Sequence, residues 1–550
     1  MAVYAQGVAG VLAFYGLMLA VGVWAGTRRK NSGEEEVFLA GRDVGLFVGA
    51  LTLIATWVGG GYINGAAEIL FTKGAVWCQV PVGYSLSLLA GMIFTGRMRK
   101  ARYVTMLDPF QEKYGSRVGG LLFIPALCGD VFWCASILNA LGSSLVVILG
   151  LDNTVSVVLS AVFAGAYTVA GGFHGVTYTD VIQLMCIAFG LSLSTPFVFA
   201  HEAVSAERPE WTEWVGHVAP QDAGIWLDNM LLLILGGIPW QGYFQRILCM
   251  RSSSLARVLS VTAFFGCIIM GTPAAAIGVV ARVTDWPSVE SFGRNVTSAE
   301  SSVILPLALR HLTPSWVSFF GLGAVSAAVM SSADSSILAS SSMFSRNIYK
   351  LTIRSKASER EIVWVLRIAV IVITTLATLV ALTVSSTYYL SYLCSDLVYV
   401  VLFPQLLLVI FWPGGVNTYG CIASFAVGVA LRISGGEPGI GIPATIKFPF
   451  YDHTARVQRF PFRTAAMLCS LVTHVAVSQL ARTLFQGRVL DPSRHDLLGA
   501  FAVQKGSAEG DEGRGGGEDV AMETLLKIRR PPHPTLSPGA SMERAQPPVT

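Results

Sequence analysis

Stretches of about twenty apolar residues recur along this chain, beginning at 8–26, and about twenty residues is the length at which a helix crosses the roughly 30 Å of bilayer hydrocarbon. Within lipid, backbone amides must find partners inside the segment, so such runs can only be helices or a closed barrel, and runs this long and unalternating are helices. Counting onward predicts thirteen spans, near 8–26, 45–71, 76–96, 118–149, 154–172, 178–200, 225–245, 258–281, 314–344, 363–384, 389–412, 418–434 and 464–486. Charged residues make up only 13% of the 550, about half the usual share of a soluble domain. A soluble enzyme, a nucleic-acid-binding module and a disordered scaffold are thereby excluded. The net charge of +4 gives no case for nucleic acid. The nine cysteines are scattered with no C-x-x-C pair, so neither a zinc site nor a disulfide framework is expected. No His/Cys/Asp cluster falls at midspan, so no enzyme is expected.

Charge sets the orientation. No basic residue precedes the first run, while Arg28, Arg29 and Lys30 follow it, which predicts a true span with the N-terminus outside rather than a cleaved signal. The loops then assigned to the cytoplasm hold eighteen Lys and Arg (Arg42, Arg97, Arg99 and Lys100 among them), against about nine outside, Arg208 included. The sequon Asn295-Val296-Thr297 falls on the outer side, where glycosylation occurs. The expected organisation is a first helix and cytoplasmic loop over 1–44, one repeat over 45–200, a second over 201–412, two extra helices over 413–486 and a disordered cytoplasmic tail over 487–550, Gly- and Glu-rich and then Pro-rich.

Two spans cannot be plain helices. The second contains Thr56-Trp57-Val58-Gly59-Gly60-Gly61-Tyr62-Ile63-Asn64-Gly65, and its four glycines, each costing roughly 1 kcal/mol in a helix, are expected to unwind its middle. The seventh contains Gly236-Gly237-Ile238-Pro239-Trp240-Gln241, where proline removes a donor and clashes with the preceding turn. The breaks lie five spans apart, and an odd repeat inverts the second unit against the first. Paired broken helices in inverted repeats point to a solute and ion site near the midplane.

The ninth span carries Ala328, Ser331, Ser332 and Ser335 at i, i+3, i+4 and i+7, on one helical face, with Asp334 beside them. Hydroxyls there, with carbonyls freed at Ala55 and Val58 and a carboxylate from Asp180, form an oxygen set suited to a hard cation such as sodium. The competing reading is that the serines back-bond to their own helix. Aromatics gather at the breaks: Trp57 in the first, Trp240 in the second, Phe132-Trp133 in the fourth span, and Trp77 and Tyr84 seven apart. Indole faces attract cations by roughly 0.5–2 kcal/mol each. A quaternary ammonium, which has no N–H to donate, suits such a cage better than a hydrogen-bonded carboxylate. An anionic cargo would favour a basic residue at the breaks, and none is expected there, since Arg246 lies at the inner end of the seventh span. A channel or receptor would not need paired broken helices.

The strings Thr56 to Gly65, GGIPWQGYFQR (Gly236 to Arg246) and GLGAVSAAVMSSADSSIL (Gly321 to Leu338), supported by YVTMLDPF (Tyr103 to Phe110), GGLLFIPAL (Gly119 to Leu127) and SDLVY (Ser395 to Tyr399), resemble the sodium/solute symporter family, and within it the members that carry choline. The likeness runs from about residue 5 to 486. It implies an all-α polytopic membrane protein of about thirteen transmembrane helices with a LeuT-like five-plus-five inverted repeat, the first helix of each repeat broken. It implies Na+ coupling and Cl− dependence, with no residues assigned to chloride. The first Na+ would take Ala55, Val58, Ala328, Ser331 and Ser332, and a second Asp180, Asp334 and Ser335. The choline cage would be Trp57, Tyr84, Trp133 and Trp240. Implied also are uptake across the plasma membrane by alternating access, a presynaptic and vesicular place supplying acetylcholine synthesis, homo-oligomers, and an endocytic adaptor read by the tail at Glu523-Thr524-Leu525-Leu526. Another small organic solute, such as proline, a sugar or a vitamin-like anion, is the alternative cargo. Ser391 stands where choline carriers have tryptophan, which opens one expected wall of the cage, and Asp130 stands for a glutamate.

Overall fold

In the computed structural model the described residues are 4–27, 39, 42, 44–204, 214–487 and 489–501. Arg28, Arg29, Lys30, Arg208 and the tail from 502 with its Glu523–Leu526 motif lie outside them. Helices dominate: α1 (Ala5–Thr27), α2 (Leu46–Trp57), α3 (Gly60–Thr72), α4 (Gln79–Lys100), α5 (Asp108–Leu121), α6 (Phe123–Leu149), α7 (Asn153–Phe199), α8 (Ala223–Gly236), α9 (Gln241–Leu248), α10 (Ser253–Val283), α11 (Ile304–His311), α12 (Ser315–Met343), α13 (Glu359–Thr383), α14 (Thr387–Leu393), α15 (Phe403–Phe411), α16 (Thr418–Ser434) and α17 (Phe462–Gln486). Helical backbone coincides with every expected run. Among the described residues, eight stretches are long and apolar enough to cross hydrocarbon by themselves, or nine with the bent pair α2–α3. Gly7–Met18, Asn153–Val169 and Thr418–Ser434 are apolar but shorter. The protein is a multi-pass membrane protein.

Helix α7 covers 47 residues where two spans are expected. Tyr167 and Ile182 nevertheless belong to one apolar cluster with Met18 and Met330. The second part of α7, Tyr178–Phe199, is by itself long and apolar enough to cross hydrocarbon.

Both breaks are present. α2 and α3 meet at Val58-Gly59 with a 49° bend. Val58 sits at φ −82°, ψ 65° and Gly59 at φ −109°, ψ −165°. Fewer residues unwind than the glycine count predicts: helix resumes at Gly60, so Gly60, Gly61 and Gly65 serve close packing instead. A Cβ on Gly61 would come within 2.3 Å of Ser391 Oγ and 2.6 Å of Ser136 Oγ. The second break runs from Gly237 to Trp240, between α8 and α9. α12 packs against both broken helices, and 25 of its 29 residues are buried.

The two additional helices are fixed by buried charge. Arg432 on α16 donates to Asp396 and to Glu437 (2.5 Å). Arg463 on α17 donates to Glu437 (2.7 Å), and its backbone N–H to Asp228 on α8 (3.2 Å). All five are at most 6% exposed. Removing one partner of a buried ion network strands the others at a cost of about 3–5 kcal/mol. Arg463→Met is expected to lower the thermal unfolding midpoint of detergent-solubilised protein by several degrees; an unchanged midpoint would show that the network is not structural.

The sequon lies in an ordered loop. Asn295 is exposed, and Thr297 caps the 3-10 turn Ser298–Val303 in a capping box with Glu300. Arg294 hydrogen-bonds Glu300 and holds its pKa down from 4.5 to about 2. A depressed carboxylate contributes stability above its unfolded pKa and loses it as pH falls through the folded value. Amide protection over 298–303, measured against the intrinsic exchange rate at each pH, should therefore be high at pH 6 and fall between about pH 4.5 and 2; a constant protection factor would disprove the cap.

Candidate functional site

At the first break the Gly59 N–H turns to the Trp57 carbonyl (2.9 Å) instead of the Ala55 carbonyl four residues back. Ala55 O instead accepts from Ser332 Oγ on α12 at 3.2 Å. The approach depends on glycine, because a Cβ on Gly59 would lie 1.8 Å from Ser332 Oγ. Near the end of α12, Ser341 and Ser342 back-bond to their own helix, to the Ile337 and Ala339 carbonyls (both 2.7 Å). Ser331, Ser332 and Ser335 reach across to other helices. Back-bonding thus accounts for the last turns of α12 and not for the face opposite the break. Ala55, Val58, Ala328, Ser331 and Ser332 are each fully buried, and Ser332 and Ala55 touch across the two helices.

One turn further along α12 is a second polar cluster. Ser331 Oγ donates to Asp180 Oδ1 (2.6 Å), and Ser335 Oγ lies 3.3 Å from Asp180 Oδ2. Asp334 Oδ1 accepts from the Ser335 N–H (2.7 Å). Sequence reasoning misplaced Arg246, which sits within this cluster. It is 4% exposed, donates to Ser335 Oγ (2.7 Å) and stands 3.5 Å from Asp180 Oδ2. The short helix α9 carries it inward from the second break, so its position near the end of an apolar run did not put it at the surface. Asp180, Asp334 and Ser335 are brought together, with a guanidinium supplying one positive charge to two carboxylates.

The four expected aromatic residues also converge. Ring centroids are 5.1 Å apart for Trp133–Trp240, 5.6 Å for Trp57–Trp240, 5.7 Å for Tyr84–Trp133 and 5.9 Å for Tyr84–Trp240. They border a narrow cavity completed by Thr56, Gly242 and Ser336. The rings are held by their polar edges. Trp57 Nε1 donates to the Tyr84 carbonyl (3.2 Å), Tyr84 Oη to the Ser391 carbonyl (2.8 Å), and Trp240 Nε1 to Asp130 Oδ1 (2.9 Å). Trp77 stands apart, its indole bonded to the His217 carbonyl (3.2 Å) in a 3-10 turn. The expected opening at Ser391 is closed: its hydroxyl lies 2.6 Å from Ser136 Oγ, in contact range of a filled Gly61 position. Tyr243, stacked edge-on to Trp57 at 6.2 Å, and Ser336 were not anticipated; Tyr243, three residues after Trp240 in GGIPWQGYFQR, was legible by helical spacing.

Residues 37–428 match the model of the sodium:solute symporter family. The chain belongs to that family. This symporter is 53% identical to the high-affinity choline transporter 1 of Drosophila melanogaster over 491 residues, covering 88% of this chain and 80% of the relative. It is 50% identical to the human high affinity choline transporter 1 over 510 residues, covering 90% and 88%. Among solved structures it superposes on a Na+-coupled sialic acid symporter with a TM-score of 0.69 at 19% identity, covering 86% and 98%. The symporter therefore has the LeuT-like inverted-repeat fold, each repeat opening on a broken helix, and its family consists of transporters rather than enzymes. Since Gly59 alone lets Ser332 reach the break, Gly59→Ala is expected to raise the sodium concentration for half-maximal transport by at least about tenfold, or 1.4 kcal/mol. Unaltered sodium dependence in that variant would separate the break from ion binding.

Proposed function

We propose that this symporter couples the inward sodium gradient to uptake of choline across the plasma membrane by alternating access. The observation that carries the reading is the convergence of Trp57, Tyr84, Trp133 and Trp240 on one cavity whose lining has no charged side chain. Ring faces attract a cation without needing a donor from it, and a trimethylammonium group has none. The relatives' names agree with this cargo.

The mechanism follows from the contacts. Sodium among Ala55 O, Val58 O, Ala328 O, Ser331 Oγ and Ser332 Oγ would tie α12 to the first break and so fix Trp57, two residues from Ala55. Asp180, Asp334 and Ser335 would take a second sodium beside Arg246. A cation bound among rings sits within about 6 Å of each centroid, whereas here the rings touch one another, so Trp240 must swing aside to admit the cargo. It is the ring best placed to do so: it is half-buried, while the other three are at most 4% exposed, and it stands in non-helical backbone at φ −122°, ψ 129°. An inside-negative potential favours cation entry by about 2.3 kcal/mol per charge per 100 mV. In this reading the N-terminus is outside, Asn295 is glycosylated, chloride is required, and the choline supplies acetylcholine synthesis.

The test is uptake of radiolabelled choline by cells or proteoliposomes. Saturable uptake that needs external sodium, falls when gluconate replaces chloride and is resisted by none of proline, glucose or a vitamin-like anion is the expected result. Trp133→Ala and Trp240→Ala should each raise KM by about tenfold, and Ser332→Ala should remove sodium-dependent uptake at normal surface expression. Sodium-independent uptake, or full competition by one of the other solutes, would overturn the assignment.

A further inference from the structure

A second narrow cavity lies on the far side of Trp240 from the ring cluster, with Trp240 lining both. Helix positions give its direction. Ser336 borders the first cavity and Met343 the second; Trp133 borders the first and Ala126 the second. Each step is seven residues, about 10 Å of helix, toward the C-terminal end of α12. At that end Thr105, just beyond the Arg97-, Arg99- and Lys100-bearing terminus of α4, bonds Asn347 (2.8 Å).

Asp130 lies in this second cavity's wall and is 2% exposed. Its Oδ1 accepts from the Trp240 indole N–H at 2.9 Å. Its Oδ2 and the buried Ser340 Oγ, one turn before Met343 on α12, neighbour each other without closing to a full hydrogen bond. A carboxylate oxygen left short of a full hydrogen bond at membrane depth is costly, and ionisable groups there mark cargo and ion pathways. The two cavities differ in chemistry: the first offers ring faces and no charge, and the second offers one carboxylate that attracts a cation without needing a donor from it.

We infer that Asp130 and the cavity beneath Trp240 form a second subsite for the cationic cargo, occupied after it leaves the ring cluster toward the Lys- and Arg-rich end, with Trp240 as the partition that Asp130 latches. Asp130 is thus a positioning residue for Trp240 and a direct partner of the cation in transit. The inference rests on the choline reading, and its test is chosen to fail separately from it.

The experiment compares sodium-dependent binding of radiolabelled choline to the purified full chain with maximal uptake in proteoliposomes. Asp130→Asn keeps the size and removes the charge. Its binding should stay within about threefold of the unmodified protein while maximal uptake falls at least about tenfold, the split expected when a step after binding is lost. Asp130→Glu, which keeps the charge, should recover most of the uptake. Ala126→Leu fills the cavity without touching the charge and should give the same split as Asp130→Asn. Normal uptake in either Asp130→Asn or Ala126→Leu overturns the subsite. So does a loss of binding in Asp130→Asn as large as that in Trp133→Ala, because Asp130 would then belong to the first site. Failure of the unmodified protein to bind choline at all would overturn the cargo reading and the subsite together.

Discussion

Hydrocarbon supplies no hydrogen bonds, and every feature of this site follows from that. A helix interrupted at membrane depth exposes backbone groups that must be met by protein or by a polar occupant. Here the interruption at Val58-Gly59 is met by Ser332, which bonds the Ala55 carbonyl from α12. The same contact that repairs the backbone assembles oxygens of the kind a sodium ion takes. Under the proposed sodium assignment, structural need and ion binding would share one set of atoms, and occupancy would be coupled to the shape of the broken helix.

The aromatic cluster is linked to that contact through few intermediates. Trp57 is the last helical residue before the break, and its indole is bonded to the Tyr84 carbonyl. Tyr84 is bonded in turn to the Ser391 carbonyl and lies 2.7 Å from Ser395 Oγ. Trp240 belongs to the other broken helix and touches both Trp57 and Trp133. Three of the rings are fully buried and fixed, and the fourth sits in irregular backbone. A rigid cage with one movable wall can bind a cation tightly and still release it.

Charge inside the bundle is used in three ways. The Arg432, Arg463, Asp396, Glu437 and Asp228 network binds α16 and α17 to the rest and is closed by mutual pairing. Arg246 pairs with Asp180 and Ser335 next to the candidate sodium oxygens. Asp130 retains an oxygen without a full hydrogen bond beside a cavity. In the network each carboxylate faces a guanidinium, whereas Asp130 faces no opposite charge among the residues that line its cavity.

The spans, the two breaks and the family were legible in the amino-acid string, because apolar length, glycine and proline act locally on the backbone. The serine face of α12 and the four rings were legible too, since helical period puts Ala328, Ser331, Ser332 and Ser335 in line and since tryptophan within a span is costly to leave without purpose. Folding alone determined the remainder. It turned Ser331 to Asp180 and Ser332 to Ala55, and left Gly60, Gly61 and Gly65 helical despite their low propensity, because close packing outweighs a cost of about 1 kcal/mol each. It brought Arg246 into the interior, filled the space at Ser391 with Ser136, and set Asp130 against Trp240. Those outcomes depend on which helices meet, through contacts between residues 66 to 277 positions apart, and no local preference in the chain encodes such distances.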